Sequence, residues 1–151
     1  MYHKQQIKAF DKAIAEQMAL IPNTLTSVNG IGPVYSAGII AEIGDISRFP
    51  NQASLAKYAG LVWSQHQSGD FEAQNTRLIH SGNRYLKYYL CEAALSLVRC
   101  DAEYRSFYHR KYKEVNKYQH KRALALTARK FVRLVFRLLK DNCLYRAPES
   151  K

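Results

Sequence analysis

The chain is short of pairable thiols, of acid and of long apolar runs. Its three cysteines, Cys91, Cys100 and Cys143, are odd in number, and no two stand at Cys-x-x-Cys spacing. That argues against a disulfide framework and reads as buried free thiols in a reducing compartment. The five histidines (His3, His66, His80, His109 and His120) make no ligand pattern with the cysteines, so no zinc site is expected. No apolar stretch is long enough to span a bilayer, and no lipidation motif is present. The opening Met1-Tyr2-His3-Lys4-Gln5 is polar rather than the apolar core of an export signal. These absences point to a cytoplasmic protein without a membrane partner.

Acid is the scarcest chemistry: 12 Asp and Glu stand against 23 Lys and Arg. Two-metal phosphoryl transfer needs converging carboxylates. Here Asp70 and Glu72 are the one close pair in a loop, and Asp101 and Glu103 read as first-turn helix residues. No self-contained metal-dependent nuclease is expected, and no metal ligands are assigned. The formal charge of +11 instead favours a polyanionic partner.

At 151 residues and 47% hydrophobic content, the chain can bury a core and is not a disordered tail. Helical periodicity dominates. Ile7, Phe10, Ile14 and Met18 make one stripe of a first helix, Tyr2 to Leu20. Asn23 or Thr24 can cap a short helix after it. A further helix runs from Pro33 to about Ile43 and stops at Gly44, and another from Gln52 to Ala59 is closed by Gly60. Leu86, Leu90, Ala93 and Leu97 share a face of a strong helix that starts at Ser81-Gly82-Asn83. A segment from Ala102 to Tyr118 follows. The last helix, about Lys121 to Asp141, turns Leu124, Ala128, Phe131, Val135 and Leu138 inward. The exception is an irregular or short-strand loop around residues 61–80, in which Leu61-Val62-Trp63 reads as a strand and Ser64 to Asp70 is polar. The expected fold is mainly α, with an N-terminal helix at 1–23, a helical domain at 24–145 and a flexible tail at 146–151.

Leu25 to Ile40 reads as a short helix, a Gly30-Ile31-Gly32 hairpin and a second helix started by Pro33. Two glycines let the backbone come close to a ligand. Pro33 suits the first helical position, and the helix N-terminus attracts an anion. Gly30, Ile31 and Gly32 are therefore candidates for backbone contacts to a nucleic-acid phosphate. A plain turn before a helix is the competing reading.

Charge concentrates between Asp101 and Lys140, with 12 Lys and Arg against 3 Asp and Glu. Arg122, Arg129, Arg133, Arg137 and Lys140 fall on one helical face opposite the apolar stripe. They are either a solvated face or a surface that follows a nucleic-acid backbone. Tyr104, Tyr108 and Tyr112 share a face at steps of four, suited to a core or interface or to stacking on bases. Ser68, beside Gly69 in the irregular loop, is the plausible nucleophile, and it would need a base or cation such as His66, Arg77 or His80. Ser81 reads better as a helix cap.

Several short motifs then follow one another in a fixed order: Val28-Asn29-Gly30-Ile31-Gly32-Pro33, Phe49-Pro50, Leu55-Ala56-Lys57-Tyr58-Ala59-Gly60-Leu61, Gln67-Ser68-Gly69, Gly82-Asn83-Arg84-Tyr85-Leu86-Lys87 and Ala93-Ala94. The set resembles the C-terminal, serine-bearing helix-hairpin-helix domain of bacterial insertion-sequence transposases of the one-ten type, over roughly Leu25 to Leu144. The resemblance implies a DNA recombinase acting in transposition through a serine–DNA phosphodiester intermediate, with Ser68 as nucleophile. It further implies an N-terminal RuvC-like domain holding a divalent metal such as Mg, a homo-oligomer and an element-encoded guide RNA. The RuvC-like half is not in this sequence, so the isolated chain is expected to lack metal-dependent cleavage. The family usually has Lys or Arg just before the Gly-Asn pair, where this chain has His80-Ser81. Arg77, Arg84 and Lys87 then become the cations assigned to DNA near the serine. A non-catalytic helix-hairpin-helix DNA binder and a structural oligomerisation domain are the alternatives.

Overall fold

The computed structural model describes residues 1–21, 23–64, 67–68, 71–72 and 77–149, with backbone only at 67–68 and 71–72. It is mainly helical. In order come α1 (Tyr2–Ala19), a 3-10 turn (Leu25–Ser27), α2 (Pro33–Ile43), a second 3-10 turn (Ile46–Arg48) and α3 (Gln52–Tyr58). The two-residue strands β1 (Gln67–Ser68) and β2 (Phe71–Glu72) follow, then α4 (Arg84–Cys100), α5 (Ala102–Lys113) and α6 (Gln119–Asp141).

Local chemistry sets most of the boundaries. Asn51 caps α3 through the Ser54 N–H, and the Ser54 side chain answers to the Asn51 backbone, a reciprocal capping box. The Asn83 side chain accepts from the Tyr85 and Leu86 N–H groups, each at 3.0 Å, so Asn83, and not Ser81 as expected, caps α4. Asp101 accepts from the Tyr104 N–H and separates α4 from α5. Segment 102–118 is not one helix. It ends at Lys113, and Tyr118, in the left-handed region at φ 53°, turns the chain into α6.

One core joins α2, α3, α4, α5 and α6. Leu86, Leu90, Ala93 and Leu97 are all buried on α4, as their spacing requires. On α6, Ala128, Phe131, Val135 and Leu138 are buried, but Val132 and Thr127 are buried as well and Leu124 is only half-buried. The buried face is wider than a single stripe because α3, α4 and α5 all pack against α6. Phe131 meets the buried Tyr104 of α5 edge-on, at 6.3 Å between ring centroids. The Thr24 hydroxyl donates to the Leu138 carbonyl at 2.9 Å and ties the first 3-10 turn to the end of α6.

Two further expectations are corrected, the helix ahead of the hairpin and the buried thiols, and the α1 stripe is mostly exposed. The helix ahead of the glycine hairpin is a single 3-10 turn, because Val28 is already extended and the turn at Asn29-Gly30 leaves no room for a longer one. Of the α1 stripe only Met18 is buried, while Ile7 and Phe10 are 58% and 69% exposed; among the described residues α1 packs chiefly on α2. Among the cysteines Cys91 and Cys143 are half-buried and Cys100, at the end of α4, is exposed.

Candidate nucleic-acid interface

The turn before α2 is built from both sides. The Ile31 N–H donates to the Val28 carbonyl at 3.0 Å, and the Ile31 side chain is buried in the core. Ile31 therefore spends both its donor and its side chain on the fold. Gly30 has φ +95°, and a Cβ there would lie 3.0 Å from the Cβ of Cys100 and 3.3 Å from the Ser96 hydroxyl. The Gly30 carbonyl accepts from that hydroxyl at 2.7 Å. Gly30 thus seats the turn against the C-terminal half of α4. Gly32 differs. Its backbone (φ −87°, ψ −178°) is open to any residue, and nothing lies within 4 Å of where a Cβ would be. It leads into Pro33 at the start of α2, whose N-terminus has neither a side-chain cap nor an acidic residue in its first turn. The first-turn N–H groups of α2 have no side-chain cap.

The serine segment leaves and re-enters the helical body at a backbone clasp. Gly82, at φ +109°, lies so close to Gly60 that a Cβ on it would be 2.6 Å from the Gly60 nitrogen and 3.0 Å from the Tyr58 carbonyl oxygen. The Asn83 N–H donates to that same carbonyl at 2.6 Å. The Asn83 amide donates to Glu42 at 2.8 Å and to the Tyr58 hydroxyl at 3.1 Å, which joins α2, α3 and α4 at one point. Beyond the clasp the two arms pair antiparallel: Ile79 N–H to Val62 carbonyl at 3.0 Å, Ser64 N–H to Arg77 carbonyl at 2.8 Å, with Trp63 opposite Leu78. Leu61-Val62-Trp63 is thus the start of a minimal ladder. Further out, Ser68 pairs with Phe71 and Gln67 with Glu72. The backbone places Ser68 at the end of β1, opposite Phe71. Its side chain, and all of His66 and Asp70, lie outside the described residues. Arg77, His80 and Arg84 are exposed and Lys87 is half-buried. The Arg84 guanidinium sits 5.0 Å from the Tyr85 ring centroid and donates to its hydroxyl at 3.0 Å.

The arginines of α6 share a face but not a role. Arg122 donates to Glu114 from two nitrogens at 3.1 Å and to the Lys111 carbonyl, so it braces the α5–α6 connection. Hydrogen bonding from Lys111, with that from Arg122, holds the Glu114 carboxyl below its ordinary range. Arg129 donates to Gln52 of α3 at 2.5 Å. Burial first, and the charge of Arg133 second, push its pKa down from the usual guanidinium value. Arg133 and Arg137 are exposed and have no hydrogen-bond or ion-pair partner among the described residues. The tyrosines of α5 are graded along the helix: Tyr104 is buried, Tyr108 half-buried and bonded to His120 at 2.7 Å, and Tyr112 exposed.

Sequence reasoning missed the Glu42–Tyr58–Asn83 junction and the Gly60–Gly82 clasp. Each joins residues far apart in the chain, and their local signals read only as helix ends. Among the described residues no group of three or more His, Cys, Asp or Glu side chains converges as metal ligands would. No helix is long and apolar enough to cross a membrane, among the described residues.

Residues 23–109 match the family described as Transposase IS116/IS110/IS902, a span that takes in the glycine turn, the clasp, the serine segment, α4 and most of α5. The chain is 31% identical over 145 residues to the "Insertion element IS110 uncharacterized 43.6 kDa protein" of Streptomyces coelicolor, which covers 95% of this chain and 35% of that protein. It is 33% identical over 78 residues to the "Probable family 20 transposase" of Pseudomonas aeruginosa, covering 52% of this chain and 23% of the relative. It is 29% identical over 97 residues to the "Transposase for insertion sequence element IS1111A" of Coxiella burnetii, covering 64% of this chain and 25% of the relative. The chain thus spans about a third or less of the length of these relatives, and it belongs to the IS116/IS110/IS902 transposase family.

Proposed function

We propose that this chain is the DNA-binding, serine-bearing part of a transposase that exchanges DNA strands by transesterification. Its family membership carries the proposal, since the matched span contains both the glycine turn and the Gln67-Ser68-Gly69 segment. In this reading the Ser68 hydroxyl attacks a DNA phosphorus. The Oγ–P bond forms as the P–O bond to one sugar breaks, and that sugar oxygen leaves with a proton. A hydroxyl of another strand then displaces Ser68. One phosphodiester is exchanged for another, so no external energy source is needed. A divalent metal in a RuvC-like half would supply Lewis-acid chemistry, which the residues described here do not.

The body of the domain holds DNA for that exchange. The uncovered backbone at Gly32 and the uncapped start of α2 accept one phosphate. Gly30 and Ile31 set the shape of that turn. Arg77, Arg84 and Lys87, around the clasp, steady DNA near the serine. Arg133 and Arg137 follow the backbone along α6, and Arg129 and Arg122 add longer-range attraction while serving the fold. Guidance by RNA and assembly into an oligomer belong to the same reading, as does a cytoplasmic location.

The test is Ser68→Ala in a protein that also carries a RuvC-like half, read as strand exchange between two DNA duplexes and as a covalent protein–DNA adduct. Loss of both is expected. Undiminished exchange would remove Ser68 from the mechanism and favour the non-catalytic helix-hairpin-helix binder.

A further inference from the structure

Between α6, the start of α5 and the C-terminal segment lies a cleft of about 700 Å³. That is within the range of small-molecule sites, roughly 300–1,000 Å³. Its cations are Lys130, Arg133, Arg137 and Arg146, and its one carboxylate, Glu103, is already paired with Lys130. The three guanidiniums have no partner among the described residues. Arg129, Arg133 and Arg137 stand at successive steps of four, a like-charge ladder that weakens a helix unless an anion offsets it. Burial chiefly, and the charge of Arg133 after it, lower the pKa of Arg129.

The cleft is not uniformly polar. Leu134, Leu138 and Tyr145 line it together with the arginines. Tyr145 is held in place: its backbone N–H donates to the Ser27 hydroxyl at 2.9 Å and its own hydroxyl to Asp101 at 3.4 Å. A fixed aromatic side chain beside leucines and unpaired guanidiniums suits a ligand with a flat apolar part and an anionic part. A paired duplex offers phosphate and sugar outward and keeps its base faces stacked inside. An unpaired nucleotide offers both.

We propose that this cleft holds one unpaired nucleotide of a nucleic-acid strand, with its phosphate on Arg133 and Arg137 and its base against Tyr145 and Leu134. The inference rests on the nucleic-acid-binding reading above and adds to it. The α6 arginines do more than follow a duplex; they select a nucleotide that has left the stack.

The experiment compares binding of a labelled single-stranded oligonucleotide, and of the same sequence as a duplex, by fluorescence anisotropy at fixed low salt. The proteins are this chain, Arg133→Gln/Arg137→Gln, Arg146→Gln and Lys140→Gln; Lys140 is exposed on α6 but does not line the cleft. Single-strand affinity is expected to fall about tenfold or more in the double variant and duplex affinity by clearly less, with both falling roughly threefold or less in Lys140→Gln. Arg146→Gln is expected to lower single-strand affinity selectively. Adenosine monophosphate should displace the single strand where inorganic phosphate at the same concentration does not. Equal losses for single strand and duplex, or equal displacement by inorganic phosphate, would overturn the nucleotide site and leave the backbone-binding reading standing. Failure of the unaltered chain to bind either form would overturn the reading beneath it.

Discussion

The first and last helices are both amphipathic in sequence and end in opposite circumstances. α6 buries Phe131, Val132, Val135 and Leu138 and carries its arginines on the opposite side. α1 leaves Phe10 and Ile7 largely exposed and buries only Met18 near its end. A helical stripe states that a helix has an apolar face; a partner decides whether that face is used. Among the described residues α6 packs on α3, α4 and α5, and α1 packs chiefly on α2. The same distinction sorts the α6 cations. Arg122 and Arg129 found Glu114 and Gln52 within the fold, while Arg133 and Arg137 found no partner among the described residues and remain available to an outside anion.

The contrast breaks most directly at its two phenylalanines. Phe131→Ala should destabilise the chain by about 3–5 kcal/mol, read from urea unfolding, because it leaves a cavity where α4, α5 and α6 meet. A loss under about 1 kcal/mol would mean that the α6 face is not the centre of the core.

Tyr104, which packs on Phe131, sharpens the same point through pH. Burial, its largest cause, pushes the Tyr104 phenol well above its ordinary value of 10.0. The folded state therefore favours the protonated phenol. That stability is fully present below pH 10 and is lost as pH rises from the ordinary tyrosine range toward the folded value. Unfolding followed against pH should show a loss above about pH 10 that Tyr104→Phe reduces. An unchanged alkaline limb in Tyr104→Phe would place that titration elsewhere.

Thr24→Ala removes the hydroxyl that reaches the Leu138 carbonyl and should cost about 1–3 kcal/mol. It tests whether α6 also anchors the glycine turn. The smallest effect belongs to α1: Phe10→Ser should change the stability of this chain by about 0.5 kcal/mol or less. A large loss would show that Phe10 is covered in solution.

The legibility of the fold follows the same division between local and long-range causes. Pro33, Gly44, Asn51 and Asp101 act on their own neighbours, and the helix ends they set could be read from the sequence. The inward face of α4 could be read as well, because one period of apolar residues meets one side of the core. The extra burial of Val132 could not, since it depends on how many helices surround α6. Nor could the need for Gly30 be traced to α4, 66 residues away through Ser96, or the fact that Gly32 has no internal constraint at all. The motif around Ser68 was legible as an irregular segment. The clasp that sets its base was not, because Gly60 and Gly82 matter only when they meet.

The central claim is that the unpaired guanidiniums and the uncovered turn of this domain hold nucleic-acid phosphate. Its most direct test is the affinity of the chain for DNA measured across a range of salt concentrations. The account predicts a straight fall of log affinity with log salt, and a slope shallower by about two phosphates' worth in Arg133→Gln/Arg137→Gln. Binding that does not respond to salt, or no binding at low salt, would contradict it.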